Sequence, residues 1–203
     1  VYALDQLGHG KSGGQTGWIE DFAHFLDDLE TFDELVRKDN GDRPLVLFGH
    51  SMGGLIVTCY LLEKPLKPDL LVLSSPAIEP IISPEDRSID PTRLSRDPAL
   101  WEAYMNDPLT LRDRVTDDLL WRLADGVFML PGRADEIEMP VLLIHGEDDR
   151  LCSLEGAESY VRQTSSKDVT IKTYPEGRHE MLNEINKEDV LADLGEWLDA
   201  RLP

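Results

Sequence analysis

The stretch "PLVLFGHSMGGLIVTCYLLE", Pro44 to Glu63, constrains the fold more than any other part of the chain. An apolar run of strand length (Pro44 to Gly49) meets a second apolar run of helical length (Met52 to Glu63) with almost no linker between them. The junction, Gly49-His50-Ser51-Met52-Gly53-Gly54, is a Gly-x-Ser-x-Gly pattern in the strand-to-helix context of a nucleophile elbow. A serine there occupies a strained turn that projects its hydroxyl from the sheet, with Gly49 and Gly53 expected to let strand and helix approach closely. The Met52 N–H is then expected to point at a developing oxyanion.

Further strands are expected at Asp69 to Ala77, Met139 to Gly146 and Asp168 to Pro175, and Val1 to Leu4 reads as a strand already under way. Trp18, Phe22, Phe25, Leu29, Phe32 and Val36 recur at steps of four and three, as on a helix packed against a core. Val190, Leu191, Leu194, Trp197 and Leu198 mark a closing amphipathic helix. Strands alternating with helices predict an α/β fold built on a mostly parallel sheet. Ile78 to Glu138 breaks the rhythm, being rich in proline, arginine and aspartate, and is too long for an ordinary loop. The chain therefore divides into a first core part at 1–77, a helical insertion at 78–138 and a second core part at 139–203.

"LDQLGHGKSGG" (Leu4 to Gly14) ends its Gly10-Lys11-Ser12 like a phosphate-binding loop. Such a loop needs a glycine where this chain has Asp5, and a carboxylate there repels phosphate, so a nucleotide site is not expected. Forty acidic against twenty basic residues give a formal charge of −20. Nucleic acid and anionic membrane surfaces are poor partners for such a chain, and a neutral small-molecule substrate suits it better. Cys59 and Cys152 are too few for a disulfide framework, and no Cys/His metal cluster is evident, which makes a reducing cytoplasm the expected compartment. No apolar run approaches the ~20 residues of a membrane span.

A serine hydroxyl needs a base to take its proton, and in sheets of this class the acid and the histidine follow the serine in chain order. "HGEDDR" (His145 to Arg150) follows one strand and offers Asp148 and Asp149. "EGRHEML" (Glu176 to Leu182) follows the next and offers His179. His145 and His24 are read as structural and solvated, and His9 and His50 as packing or hydrogen-bonding residues. Cys152 reads as a small buried hydrophobe whose nearness to the acid loop also makes it a candidate reactive thiol.

These segments together resemble the α/β-hydrolases, and within them the monoacylglycerol lipase and lysophospholipase group, over nearly the whole chain. "DQLGHGKSGG" is similar to that group's segment after its fourth strand, "GHSMGG" to its elbow, and "LSRDP" and "NDPL" to its lid. "GEDDRLC" is similar to its acid loop and "YPEGRHEMLNE" to its histidine loop. The resemblance places the acid on Asp149 rather than Asp148 and the base on His179. It implies a serine carboxylic-ester hydrolase acting on neutral lipid esters such as monoacylglycerols, with no metal or organic cofactor. An acyltransferase, a peptidase and a non-catalytic binding module are the rival readings. The group's first three strands and its His-Gly oxyanion loop have no counterpart here, so the second oxyanion donor is unnamed, and an upstream segment supplying both is expected.

Overall fold

The computed structural model describes residues 1–64, 67–81, 89–111 and 115–203. Four strands form one parallel sheet in the order β1 (Val46–His50), β2 (Leu70–Ser74), β3 (Val141–Gly146) and β4 (Val169–Tyr174). The fold class is the expected α/β one. β2 and β3 are buried along their whole lengths, as parallel strands covered on both faces must be.

Alternate residues of these strands enter two separate cores. Leu71, Leu73, Val141 and Leu143 pack with Phe25 and Leu29 of α1 (Ala23–Asn40), Leu55 and Ile56 of α2 (Met52–Glu63), and Val161 of α5 (Leu154–Arg162). Leu70, Val72, Leu142 and Ile144 face the other way, onto Val190 and Trp197 of α6 (Lys187–Asp199). The period of two along each strand thus sorts helices to the two faces of the sheet. α2 is buried from Gly54 to Leu62 and carries almost no polar face, which suits a helix enclosed between the sheet, α1 and the helix at Asp117–Phe128.

The α1 stripe packs as expected, but the helix starts at Ala23 rather than near Trp18. Gly17 adopts a φ of 68°, and the Asp21 carboxylate accepts the Ala23 N–H at 2.8 Å, holding the approach in a turn. α5 had no counterpart among the expected elements. Its signal is a serine cap, with Ser153 Oγ accepting from Gly156 N at 3.0 Å.

Val1 to Leu4 corrects an expectation. Among the described residues this segment pairs with no strand, because no strand lies beside it; Tyr2 donates to Asp39 instead, and Leu4 packs on the first core. Residues 78–138, expected as an insertion, contain α3 (Pro98–Asn106) and α4 (Asp117–Phe128), while 82–88 and 112–114 lie outside the described residues. Among the described residues, no helix is long and apolar enough to cross a membrane.

Candidate active site

Parallel strands in close register bring their C-terminal ends to one edge, where ligand and catalytic groups of such sheets gather. His50 pairs with Ser74 and Gly146 with Tyr174, so the loops that follow β1, β3 and β4 meet there. Those loops carry Ser51, Asp149 and His179.

Ser51 has φ 52° and ψ −122°, a left-handed conformation that side chains rarely adopt. Its backbone is held on three sides: Ser51 N donates to Ser74 O at 3.0 Å, and Ser51 O accepts from Ala77 N at 2.9 Å and Leu55 N at 3.2 Å. The close approach is made by Gly49 and Gly54. A Cβ on Gly49 would meet Val57 Cγ2 at 2.5 Å and Gly53 O at 2.6 Å; one on Gly54 would meet Pro76 Cβ at 2.6 Å. Gly53, expected to share this role, has nothing within 4 Å of such an atom. Met52 is the first residue of α2, so its N–H is among those without an intrahelical acceptor.

The two adjacent acids have different surroundings. The Asp148 side chain is 42% exposed and pairs with Arg150 at 3.0 Å. The Asp149 side chain is fully buried: Oδ1 accepts from Leu151 N at 2.8 Å and Cys152 N at 3.1 Å, and Oδ2 lies 2.9 Å from His179 Nδ1. The same Oδ2 lies 3.1 Å from His145 Nε2, which also faces Cys152 O at 3.2 Å, while His145 Nδ1 has no partner. With acceptors facing Nε2, that nitrogen carries a proton and His145 donates to the acid. Burial works against the Asp149 charge, but the hydrogen bonds from His145 and His179 outweigh it, and the carboxyl is held well below its ordinary range.

His179 is itself buried, and burial outweighs the attraction of Asp149, leaving the imidazole below its ordinary value. It holds the neutral form a base requires.

Ser51, Met52, Cys152, His9 and His179 all border one cavity of about 460 Å³. The rest of its wall is mostly apolar, with Leu55 from α2, Leu119, Leu123 and Val127 from α4, and Leu151 from the acid loop. Cys152 places its thiol within hydrogen-bond reach of Ser51, and burial first, then the Asp149 charge, push that thiol far above its ordinary value. It is a protonated wall residue rather than a reactive thiolate. His9 bonds Leu7 O through Nδ1 at 3.0 Å, and His24 is exposed, as expected of both.

In the Gly-Lys-Ser loop, Lys11 N donates to Asp5 Oδ2 at 2.9 Å and Ser12 Oγ to Asp5 O at 2.7 Å. The loop thus spends its donors on its own aspartate, where a phosphate would be needed. His145 is structural and His50 hydrogen-bonded, as expected, but the sequence names none of their partners. Their only sequence signals are positional, His145 four residues before Asp149 and His50 immediately before Ser51.

Residues 1–186 match the α/β-hydrolase family model described as serine aminopeptidase, S33. A monoacylglycerol lipase of Mycolicibacterium smegmatis is 32% identical over 220 residues, covering 100% of this chain and 79% of the relative. The crystal structure of Paleococcus ferrophilus monoacylglycerol lipase matches with a TM-score of 0.85 at 30% identity, over 98% of this chain and 83% of that one. A soluble variant of monoglyceride lipase from Saccharomyces cerevisiae, solved with a substrate analogue, matches with a TM-score of 0.81 at 26% identity, over 98% and 76%.

Proposed function

Because the chain belongs to this α/β-hydrolase family and to its monoacylglycerol lipase-like group, we propose that it hydrolyses monoacylglycerols with Ser51 as nucleophile. The observation that carries the assignment of residues is the buried Asp149–His179 pair, 2.9 Å apart, whose histidine borders the same apolar cavity as Ser51.

In the first step His179 Nε2 takes the Ser51 proton as Oγ attacks the ester carbonyl carbon. The carbonyl oxygen becomes an oxyanion, which the Met52 N–H stabilises. Asp149 fixes the proton of His179 on Nδ1 and stabilises the imidazolium. The C–O bond to glycerol breaks, and His179 gives its proton to the departing alkoxide. Water, deprotonated by His179, then attacks the acyl carbon; the bond to Ser51 Oγ breaks, His179 returns the proton to Oγ, and the fatty acid leaves.

The insertion acts as the lid of this reading, since α4 supplies the cavity wall that an acyl chain would touch. The cavity takes the chain and excludes water from it, while the small polar headgroup is left to the edge where Ser51 and His179 meet. The chemistry uses no metal or organic cofactor. The net charge of −20 weighs against nucleic acid as a partner, and two free buried cysteines suit a reducing cytoplasm.

A peptidase is the second reading, favoured over an acyltransferase or a binding module by the match to a family described as serine aminopeptidase. The deciding experiment measures release of fatty acid from monoacylglycerols beside transfer to alcohols and cleavage of aminoacyl amides, with a fluorophosphonate probe to label Ser51. Ester hydrolysis and a labelled Ser51 are expected. Amide cleavage that outpaces ester hydrolysis would replace this reading with the second.

A further inference from the structure

The site holds a second histidine–carboxylate pair. His50, the residue before Ser51, places Nε2 3.2 Å from Oε1 of Glu180, the residue after His179. Its Nδ1 lies 3.0 Å from Ser74 O and 3.2 Å from Ser74 Oγ. An imidazolium donates at both ends here, to the Glu180 carboxylate and to Ser74 O, whereas a neutral ring with its proton on Nε2 needs the Ser74 hydroxyl to turn and donate to Nδ1. Glu180 is fixed in turn: Oε2 accepts from Asn183 Nδ2 at 3.0 Å, and its N–H donates to Leu94 O at 2.7 Å. The His50 ring packs against the His179 ring with centroids 4.8 Å apart and planes at 52°.

We propose that His50 and Glu180 are positioning residues: the carboxylate holds a positive charge on His50, and that charge keeps the neighbouring His179 unprotonated at mildly acidic pH. This rests on the reading of His179 as the base. The groups facing His179 are Asp149 from the acid loop, His50 from the end of β1 and Glu180 from its own loop. Asp149 and Glu180 favour its protonation; burial and His50 oppose it. Those facing His50 are Glu180, Ser74, Asp149 and His179. Burial disfavours the charge on His50, but the Glu180 contact outweighs it and raises the group above its ordinary value. His50 in turn holds the Glu180 carboxyl down to about 2 against the effect of burial, so the pair stays ionised across the range in which His179 titrates.

The test uses the full chain in two measurements: the acid limb of kcat/KM against a soluble short-chain ester, and the titration of the histidine C2 protons by NMR. His50→Gln removes the cation and leaves the Glu180 charge beside His179, so the titration of His179 is expected to rise by about one unit. Glu180→Gln can still bond the His50 ring but no longer holds its charge, so a smaller rise is expected. If His50→Gln does not fold, Glu180→Gln carries the test alone. A purely structural pair would weaken turnover without moving either titration. An acid limb in the wild type that neither variant moves, with His179 unmoved by NMR, overturns the tuning and leaves the base assignment standing. NMR shifts as expected with no acid limb in the wild type would uphold the electrostatic pairing and overturn the base assignment.

Discussion

Gly54 and Pro76 touch so closely that a Cβ on the glycine would fall 2.6 Å from the proline's own Cβ and 2.8 Å from its Cα. The contact presses α2 onto the segment after β2, whose Ala77, with Ser74 at the end of β2, holds the Ser51 backbone. Gly54→Ala is therefore expected to destabilise the protein by about 1–3 kcal/mol, as overpacking does. Gly53→Ala adds an atom to open space at the start of a helix and is expected to be neutral or stabilising by up to about 1 kcal/mol. Denaturant unfolding of both variants checks this, and a costlier Gly53→Ala would contradict it.

Ser51→Ala is expected to abolish hydrolysis of monoacylglycerols while leaving the melting curve close to that of the wild type. It removes only Oγ, with its contact to the Cys152 thiol, and leaves the backbone hydrogen bonds that hold the residue. Steady-state turnover and thermal unfolding check the two halves, and retained turnover would rule out a serine nucleophile.

Asp149→Asn is expected to lower kcat by about 10⁴-fold, because an amide cannot hold the His179 tautomer or stabilise the imidazolium. Asp148→Asn loses only an exposed pair with Arg150, of a kind worth about 0–1 kcal/mol to stability, and is expected to leave kcat within about twofold. Kinetics on the two variants decide between the neighbours.

The contrast between these two acids shows where legibility ended. The strand, elbow and helix at Pro44 to Glu63 were readable because local apolar runs and a glycine pattern specify them directly; α2 runs over the expected residues. The acid loop was readable as a place, yet its residues alone left Asp148 and Asp149 open, and only a family resemblance chose between them. What separates the two is burial and the direction of a side chain, which depend on the packing of β3 against the histidine loop. Gly53 and Gly54 pose the same problem, since spacing marks a glycine-rich turn without saying which residue meets Pro76. Val1 to Leu4 has a strand's composition, but pairing requires a neighbour, which composition does not provide.

The pH dependence follows from the displaced titration of His179. Burial lowers its value despite Asp149, and a base works only when unprotonated. Activity should therefore be present above that value and lost as pH falls through it, with the acid limb of kcat/KM below the ordinary ~6.5 of histidine. Depressed Asp149 acts in the same sense on stability: its contribution is present above the unfolded carboxyl value of about 3.9 and is lost as pH falls below that. A limb centred above 6.5 would contradict the assignment.

The backbone angles of Ser51 place the nucleophile in conflict with the stability of its own chain. A non-glycine residue held at a φ of 52° costs about 1–3 kcal/mol, which the surrounding contacts offset. Glycine at that position would shed the strain, and after the greater entropy it loses on folding, Ser51→Gly is expected to be more stable by about 1 kcal/mol and wholly inactive. Selection for thermal resistance alone would thus drift toward removing the reactive hydroxyl. Any programme to harden this protein has to keep position 51 fixed and look elsewhere for its gains.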